Sequence, residues 1–167
     1  MALLRVGSLS EKEDNVTWET CTLRKWMNND FISKAFSNSQ QSLIATVTNQ
    51  NPDNPKYGTK GGNATQDRIF ALSIDEAKKY FRDDDDRMAA VTAYAKKQGC
   101  FQSDFYLLKS GEKAGWWWLR SSGYGGYYAA RVFISGDIFI SGDINQYGSP
   151  VVSNGGSVRP ALWVNLE

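Results

Sequence analysis

The stretch WWWLRSS, residues 116–122, is the part of this chain that decides its fold. Three consecutive tryptophans would form a large apolar patch if they were exposed, so the run predicts a buried strand. A second apolar run, SVRPALWVNL at residues 157–166, predicts the closing strand, and Pro160 within it predicts an edge position or a bulge. We expect these two strands to be the scaffold for the segment between them.

That segment is rich in glycine, tyrosine and serine, and it contains the hexapeptide FISGDI twice, at residues 133–138 and 139–144. Its pattern predicts strands at residues 127–135 and 137–141, with a turn at Gly136. Two interpretations of the duplication stay open. The copies are either two turns of similar geometry or the product of chance convergence.

The first half of the chain predicts short helices and strands separated by loops. Apolar residues recur at helical spacing in residues 17–30, and either Thr20 or Thr22 can cap that helix. An alternating run at residues 45–49 predicts a strand. Residues 50–66 are rich in asparagine, proline, glycine and lysine, which predicts a loop.

The middle of the chain carries clearer signals for where helices begin and end. An apolar, strand-like run at residues 67–72 leads into a capping box formed by Ser73 and Glu76, which predicts a helix start. Residues 89–98 predict a further helix, and Gly99 predicts its end. Residues 3–9 are a weaker candidate for a first strand.

Length and charge exclude several classes of protein. A chain of 167 residues is most simply one domain with a core of its own. The formal net charge is +1 and there is no long basic stripe, so we expect no nucleic-acid partner. No segment is long enough to span a membrane. The chain has no histidine, which removes the commonest general base and zinc ligand.

The cysteines and a run of aspartates are the candidate reactive or metal-binding groups of this sequence. Cys21 and Cys100 are either reduced core residues or one disulfide, and their spacing does not decide between these alternatives. Four consecutive aspartates at residues 83–86 lack the alternate spacing and the glycine of an EF-hand loop. They predict a solvated acidic turn. We therefore expect no metal, no cofactor and no catalytic residue.

Five motifs together resemble a bacterial domain family common in gut Firmicutes and their phages. They are TWETCTLRKWMNNDF (residues 17–31), DRIFALSIDEAKKYF (67–81), TAYAKKQG (92–99), WWLRS (117–121) and VRPALWVNL (158–166). That family is assigned to the C-type-lectin-like superfamily. The resemblance implies an α+β fold with mixed or antiparallel sheets and two or more flanking helices over residues 16–167. Residues 1–15 are left as an unclear segment or a first strand.

Relatives within this fold serve as variable proteins of diversity-generating retroelements, in which a reverse transcriptase copies a template with errors at adenines. An AAC asparagine codon changed only at its adenines cannot become Lys, Glu, Gln, Met or Trp. These types make up about a quarter of residues 1–120, but between residues 121 and 162 only Gln146 is one of them. Glycine-rich strands also disfavour Lys, Glu and Met, so composition alone is a second explanation.

The resemblance implies that a variable ligand-binding region, at about residues 121–157, combines a fixed frame with a varied face. The implied frame consists of Ala129, Ala130, Val132, Gly136, Ile138, Gly142 and Ile144. The implied ligand face consists of Tyr124, Tyr127, Tyr128, Arg131, Phe133, Ile134, Ser135, Asp137, Phe139, Ile140, Ser141, Asp143, Asn145 and Tyr147. Tyrosine offers rigid, amphipathic contact area, and Arg131 can pair with a carboxylate through two hydrogen bonds. In an ordinary β-domain several of these aromatics would be core residues instead.

The implied partner is a protein or cell-surface ligand, at the cell surface or on a phage particle if the domain belongs to a larger displayed protein. A monomer is favoured. The main alternative is a lectin-like adhesion domain that is not diversified. Calcium-dependent sugar binding is disfavoured because the nearest proline site, at residues 149–151, lacks acidic and amide ligands. The formylglycine-generating enzymes of the same superfamily use a reactive cysteine pair and copper, but both cysteines here lie outside residues 116–166.

Overall fold

The computed structural model describes residues 4–5, 15–135, 138–139 and 149–165, and they form an α+β fold. Strands are numbered along the chain. The main sheet contains, within that part of the chain, β1 (Leu4–Arg5), β6 (Trp117–Ser122), β7 (Tyr128–Val132), β8 (Ile138–Phe139), β9 (Ser149–Pro150) and β10 (Ser157–Val158). The strand order is β1-β10-β6-β7-β8, and β9 also pairs with β7. Only the β10–β6 pair among these is parallel.

Two small ladders and a set of short helices surround this sheet. β2 (Val47–Asn49) pairs with β3 (Thr65–Asp67), and β4 (Ala89–Ala90) pairs with β5 (Ala114–Gly115). The helices are α1 (Thr22–Trp26), α2 (Ile32–Ala35), α3 (Asn38–Leu43), α4 (Ile74–Tyr80), α5 (Asp84–Arg87) and α6 (Ala93–Lys97). A π-helical turn, Met27–Phe31, joins α1 to α2. None of the described helices is long and apolar enough to cross a membrane.

β6 is buried along its whole length, and the side chains of Trp117 and Trp118 have no exposed surface. Burial on both faces of the strand explains how consecutive tryptophans are accommodated. The rings of Trp116 and Trp118 meet edge to face, with their centroids 4.8 Å apart. The predicted buried tryptophan strand is therefore confirmed.

β10 links the first strand of the sheet to the tryptophan strand. Its residues pair with β1 on one side, and Ser157 pairs with Trp117 on the other. Gly156 makes this approach possible, because a Cβ there would lie 2.4 Å from Trp118 Nε1 and 2.6 Å from Trp116 Cη2. The close packing behind β6 therefore requires a residue without a side chain.

Helices begin and end at local signals, and two of the predicted signals are confirmed. Ser73 Oγ accepts a hydrogen bond from Glu76 N at 3.1 Å, and the Glu76 carboxylate accepts one from Ser73 N at 2.9 Å, which completes the capping box. Gly99 ends α6 with a φ of +86°. The predicted threonine cap of α1 is wrong, because the sulfur of Cys21 accepts from Arg24 N at 3.4 Å instead.

The helix predicted at residues 89–98 is wrong in its first half. Ala89–Ala90 forms β4 and pairs with β5. Thr92 then caps α6 by accepting from Ala95 N at 3.0 Å, so the helix starts only at that point. Alanine favours a helix by intrinsic propensity, but pairing with a distant strand overrides that preference.

Two predicted strands, at residues 67–72 and 157–166, are shorter than expected. Their ladders end at Asp67 and Val158. Pro160 has no N–H to donate, which is why the β10 ladder does not extend through it. The predicted edge position for this strand is wrong, because β10 lies between β1 and β6.

The remaining predicted strands are present with shorter bounds. The runs at residues 45–49, 116–122 and 127–135 correspond to β2, β6 and β7. The strand predicted at residues 137–141 is represented by β8, and its other residues lie outside the described part of the chain. The predicted turn at Gly136 also lies outside it.

Both cysteines, Cys21 and Cys100, are buried free thiols, which decides between the two alternatives that the sequence left open. Asp83, Asp84 and Asp85 are exposed, as predicted for a solvated acidic turn, but the run forms the start of the short helix α5 and not a turn. Asp83 caps α5, and Asp86 pairs with Arg82 at 2.7 Å. Across the described residues, no group of three or more His, Cys, Asp or Glu side chains is arranged to hold a metal ion.

Candidate functional site

The candidate site is built on the short loop that joins β6 to β7. Gly123 N donates to Tyr128 O at 2.7 Å, and Tyr128 N donates to Gly125 O at 2.9 Å. Gly126 O accepts from Val16 N at 2.5 Å, which ties the loop to an earlier part of the chain. Hydrogen bonds therefore hold the backbone of this loop at both ends and join it to the segment that contains Val16.

Tyrosines dominate the exposed surface of the loop and its surroundings. Tyr124 is 50% exposed and Tyr127 is 48% exposed, whereas Tyr128 is half-buried. The ring centroids of Tyr127 and Tyr128 are 4.7 Å apart, and those of Tyr124 and Tyr57 are 5.1 Å apart with the planes nearly perpendicular. We call these four residues the tyrosine surface.

The residues predicted to form a fixed frame pack behind the tyrosine surface wherever their side chains are described. Ala129 is 3% exposed, and Ala130 and Val132 have no exposed surface. The prediction that these three residues pack in the core is confirmed. Of the other predicted frame residues, Ile138 is described only in its backbone, and Gly136, Gly142 and Ile144 lie outside the described residues.

Two residues of the predicted ligand face are buried, which corrects the sequence-based assignment. Ile134 is 8% exposed and Arg131 is 9% exposed. The Arg131 guanidinium lies 4.9 Å from the ring centroid of Trp116 and 5.1 Å from that of Phe133. Burial lowers the pKa of Arg131 to about 10. Its cation therefore stacks on aromatic faces of the protein, and it is not displayed to a ligand carboxylate.

The other members of the predicted ligand face are only partly described. Phe133 and Ser135 are half-buried, and Phe133 packs against the core. Phe139 is described in its backbone, where it pairs with Arg131. The residues that lie outside the described part of the chain are Asp137, Ile140, Ser141, Asp143, Asn145 and Tyr147. Their place on the ligand face stays a prediction.

A loop that sequence reasoning treated only as a connection forms one side of the tyrosine surface. Asn54 is buried, and its Nδ2 donates to Ser122 O at 2.8 Å. Thr59 Oγ1 donates to Tyr124 O at 2.8 Å. These bonds hold Tyr57 beside Tyr124. The local sequence gives no signal for this contact, because the two rings come from distant parts of the chain.

The WWLRS motif places Arg120 in the interior, where it joins three elements behind the loop. Its Nη2 donates to Glu76 Oε1 at 2.8 Å, its Nη1 to Ala71 O at 3.0 Å and its Nε to Asn51 Oδ1 at 3.2 Å. Burial alone would raise the pKa of Glu76, but hydrogen bonds from Arg120 and from the Ser73 backbone outweigh it and lower that pKa. Arg120 is therefore a structural cation.

Trp117 of the WWLRS motif and Arg159 of the VRPALW motif also have structural roles. Trp117 Nε1 donates to Arg87 O at 3.1 Å. The Arg159 guanidinium lies 4.5 Å from the ring centroid of Phe81 and 5.4 Å from that of Trp117. These contacts join the closing segment to β6 and to the end of α4. WWLRS and VRPALW, two of the five motifs that carry the family resemblance, thus maintain the fold.

Asp67 is a second buried structural charge, with 1% of its surface exposed. Its carboxylate accepts hydrogen bonds from the side chains of Arg24 (2.6 Å), Thr65 (2.7 Å), Trp18 (3.0 Å) and Asn49 (3.0 Å). Burial would raise the pKa of Asp67, but these donors outweigh it and lower the pKa. A carboxylate so fully engaged by protein donors has no free oxygen for a ligand.

Cys21 is the side chain closest in type to a catalytic nucleophile, but its surroundings do not suit that role. Burial raises the pKa of the Cys21 thiol to about 12. The Sγ donates to Trp18 O at 3.3 Å. Since the thiolate is the nucleophilic form, this thiol is unreactive near neutral pH. Cys100 is also buried, with its Sγ 3.6 Å from Gly156 O.

A surface groove of about 350 Å³ lies between α5 and the segment at residues 107–110. Charges of both signs line it. Lys109 Nζ is 3.7 Å from Asp85 Oδ2, and Asp86 pairs with Arg82. Because these charges are matched within the protein, the groove has no feature directed at a particular ligand.

Comparison with known proteins identifies the family of the chain. The chain belongs to the family described as Domain of unknown function (DUF6273), whose model matches residues 2–166. No curated protein and no solved structure matches it. The family match spans both the tryptophan strand and the loop that carries the tyrosine surface, so the candidate site lies inside the family's domain.

Proposed function

We propose that this chain is a ligand-recognition domain of C-type-lectin-like fold whose C-terminal face is diversified by a retroelement through adenine mutagenesis. Its ligand is a protein or another cell-surface molecule. Tyr124, Tyr127 and Tyr128 of the tyrosine surface belong to that face. The α+β architecture is compatible with such a fold, and the proposal assigns no catalytic step to any residue.

The main support for the proposal is that exposed and buried side chains are clearly separated around β7. Tyr124 and Tyr127 are about half exposed, while Ala129, Ala130 and Val132 are buried. A recognition surface that changes between variants needs this division, because side chains can then be exchanged without disturbing the core that holds them. Tyrosine suits such a surface, since it buries much area and loses few rotamers on binding.

Composition supports the same proposal. Residue types that adenine changes cannot reach are almost missing from residues 121–162, although they are common earlier in the chain. The last such residue before the depletion is Trp118, so the depleted stretch starts inside the buried strand β6 and continues through the loop and β7.

The burial of Arg131 and Ile134 favours the second candidate, a lectin-like adhesion or surface-binding domain with a fixed sequence. Both residues belong to the face that diversification would vary, yet both pack within the protein. A fixed adhesion domain has no need to keep such positions replaceable. The tyrosine surface would still be its contact region.

The two candidates are distinguished by sequencing the genomic neighbourhood of the gene. Diversification requires a near-copy of the coding sequence for residues 121–162, differing only where the copy has adenine, next to a reverse-transcriptase gene. Such a copy is the expected result. If the completed neighbourhood contains no near-copy, diversification is refuted and the fixed adhesion domain takes its place.

A further inference from the structure

The loop that carries Tyr57 is held rigidly against the end of β6. Asn54 Oδ1 accepts from the backbone N–H groups of Lys56 (2.9 Å) and Tyr57 (3.1 Å), which folds the turn around the asparagine side chain. Gly58 N donates to Asn54 O at 2.8 Å, and Gly58 has a φ of +68°. Ser122 Oγ donates to the backbone of the same loop. The position of Tyr57 is thus set by backbone contacts and not by the ring itself.

We infer that Tyr57 is a constant part of the ligand surface, a fixed aromatic wall against which the residue at position 124 is presented. The inference rests on the proposed recognition function and goes beyond it, because Tyr57 lies far outside residues 121–157. The two rings meet edge to face at 5.1 Å, which is the range of favourable aromatic pairing. Tyr57 is half-buried, so a ligand that covers Tyr124 also reaches the part of Tyr57 that stays exposed.

The chemistry around Tyr57 indicates what kind of partner fits. Lys56 Nζ lies 5.4 Å from the Tyr57 ring centroid, so a positive charge borders the aromatic area. The neighbouring Lys60 is already paired with Asp53 at 2.7 Å. The surface therefore suits a folded protein partner that presents an apolar side chain flanked by a carboxylate. Tyr57 Oη is buried and makes no hydrogen bond among the described residues, so the ring and not the hydroxyl is the contacting group.

The experiment uses the full chain on the surface of yeast, with positions 124, 127 and 128 varied over the residue types that adenine changes reach. Binders are selected against maltose-binding protein, an acidic folded probe. Tyr57→Ala, Tyr57→Phe and Tyr94→Ala are then introduced into each selected clone. Tyr94 is the control because it is 60% exposed on α6, more than any residue of the tyrosine surface.

We expect Tyr57→Ala to weaken the Kd of most selected clones about tenfold or more, as for a central aromatic contact, while Tyr57→Phe and Tyr94→Ala stay within about twofold. Amide hydrogen exchange on the selected clones, with Tyr57 unchanged, tests the contact independently. Binding of the probe should slow amide exchange at residues 56–59. Clones that bind but show neither effect would overturn the inference and leave the recognition function standing. If selection yields no binder, the surface does not accept an acidic folded protein and the inference fails, whereas the recognition function is tested separately by the genomic near-copy.

Discussion

Replacing Arg120 with methionine tests whether the WWLRS motif maintains the fold. The Arg120 side chain is 4% exposed and that of Glu76 is 24% exposed. Removing one partner of a buried ion pair costs about 3–5 kcal/mol, because the other charge is left without compensation. Glu76 keeps some contact with water and keeps its hydrogen bond from Ser73 N, so we expect about 3 kcal/mol, at the lower end of that range.

Urea denaturation followed by tryptophan fluorescence measures this loss. Glu76→Gln is the matched variant, because glutamine also completes a capping box while it removes the charge. We expect Glu76→Gln to cost about 3 kcal/mol as well, because it leaves the buried Arg120 charge without a carboxylate. The double variant should cost less than the sum of the two single variants. A loss below about 1 kcal/mol for Arg120→Met would refute the structural role that we assign to this residue.

The same pair predicts how stability depends on pH. The pKa of Glu76 is lowered in the folded state, so its contribution is fully present above the pKa of the unfolded chain, near 4.5. It is lost as the pH falls through the lowered folded pKa. The pKa of Asp67 is lowered as well, so both groups weaken the fold below about pH 4. In Glu76→Gln the decrease in unfolding free energy with acid should be visibly smaller, and an unchanged acid profile would contradict this assignment.

Three further predictions concern packing and display. Trp117→Ala should cost about 3–5 kcal/mol in chemical denaturation, and a loss under about 1 kcal/mol would mean that β6 is not core. Gly156→Ala should destabilise the fold, because the added Cβ would overlap Trp116 and Trp118. Gly125→Ala is the control and should not destabilise it, because the nearest atom to its Cβ is 4.0 Å away. Equal melting temperatures for the two variants would be inconsistent with the β10 packing. Tyr127→Ala should change the unfolding free energy by less than about 1 kcal/mol and keep cooperative unfolding, and loss of cooperativity would place the ring in the core.

Features encoded in a few neighbouring residues could be predicted from the sequence. The capping box at Ser73 and Glu76 and the stop at Gly99 depend on local backbone geometry, and both are confirmed. The burial of Trp117 follows from the cost of exposing three adjacent indoles. In each case one local interaction is strong enough to decide the outcome.

Features that depend on distant pairing could not be predicted in this way. Ala89–Ala90 has a helical composition but pairs with β5. Helix α1 is capped by Cys21, although Thr20 and Thr22 suit a cap better by propensity. Arg131 is charged, which indicates exposure, yet it stacks on Trp116. Tyr57 entered the site only through its contact with Tyr124. Three of these outcomes depend on which segments meet in space, whereas the Cys21 cap is a contact between residues three apart that propensity does not favour.

The place of β10 in the sheet also governs when the fold can be completed during synthesis. β1 and β6 pair with opposite sides of β10, so they wait for residues 157–158 to leave the ribosome. Those residues lie near the end of the region that we propose is rewritten. A rewritten copy that shifts the reading frame would replace β10, expose Trp117 and leave the chain open to proteolysis. Closure of the sheet would then test every new variant, because β10 forms only when the end of the rewritten region is still read in frame.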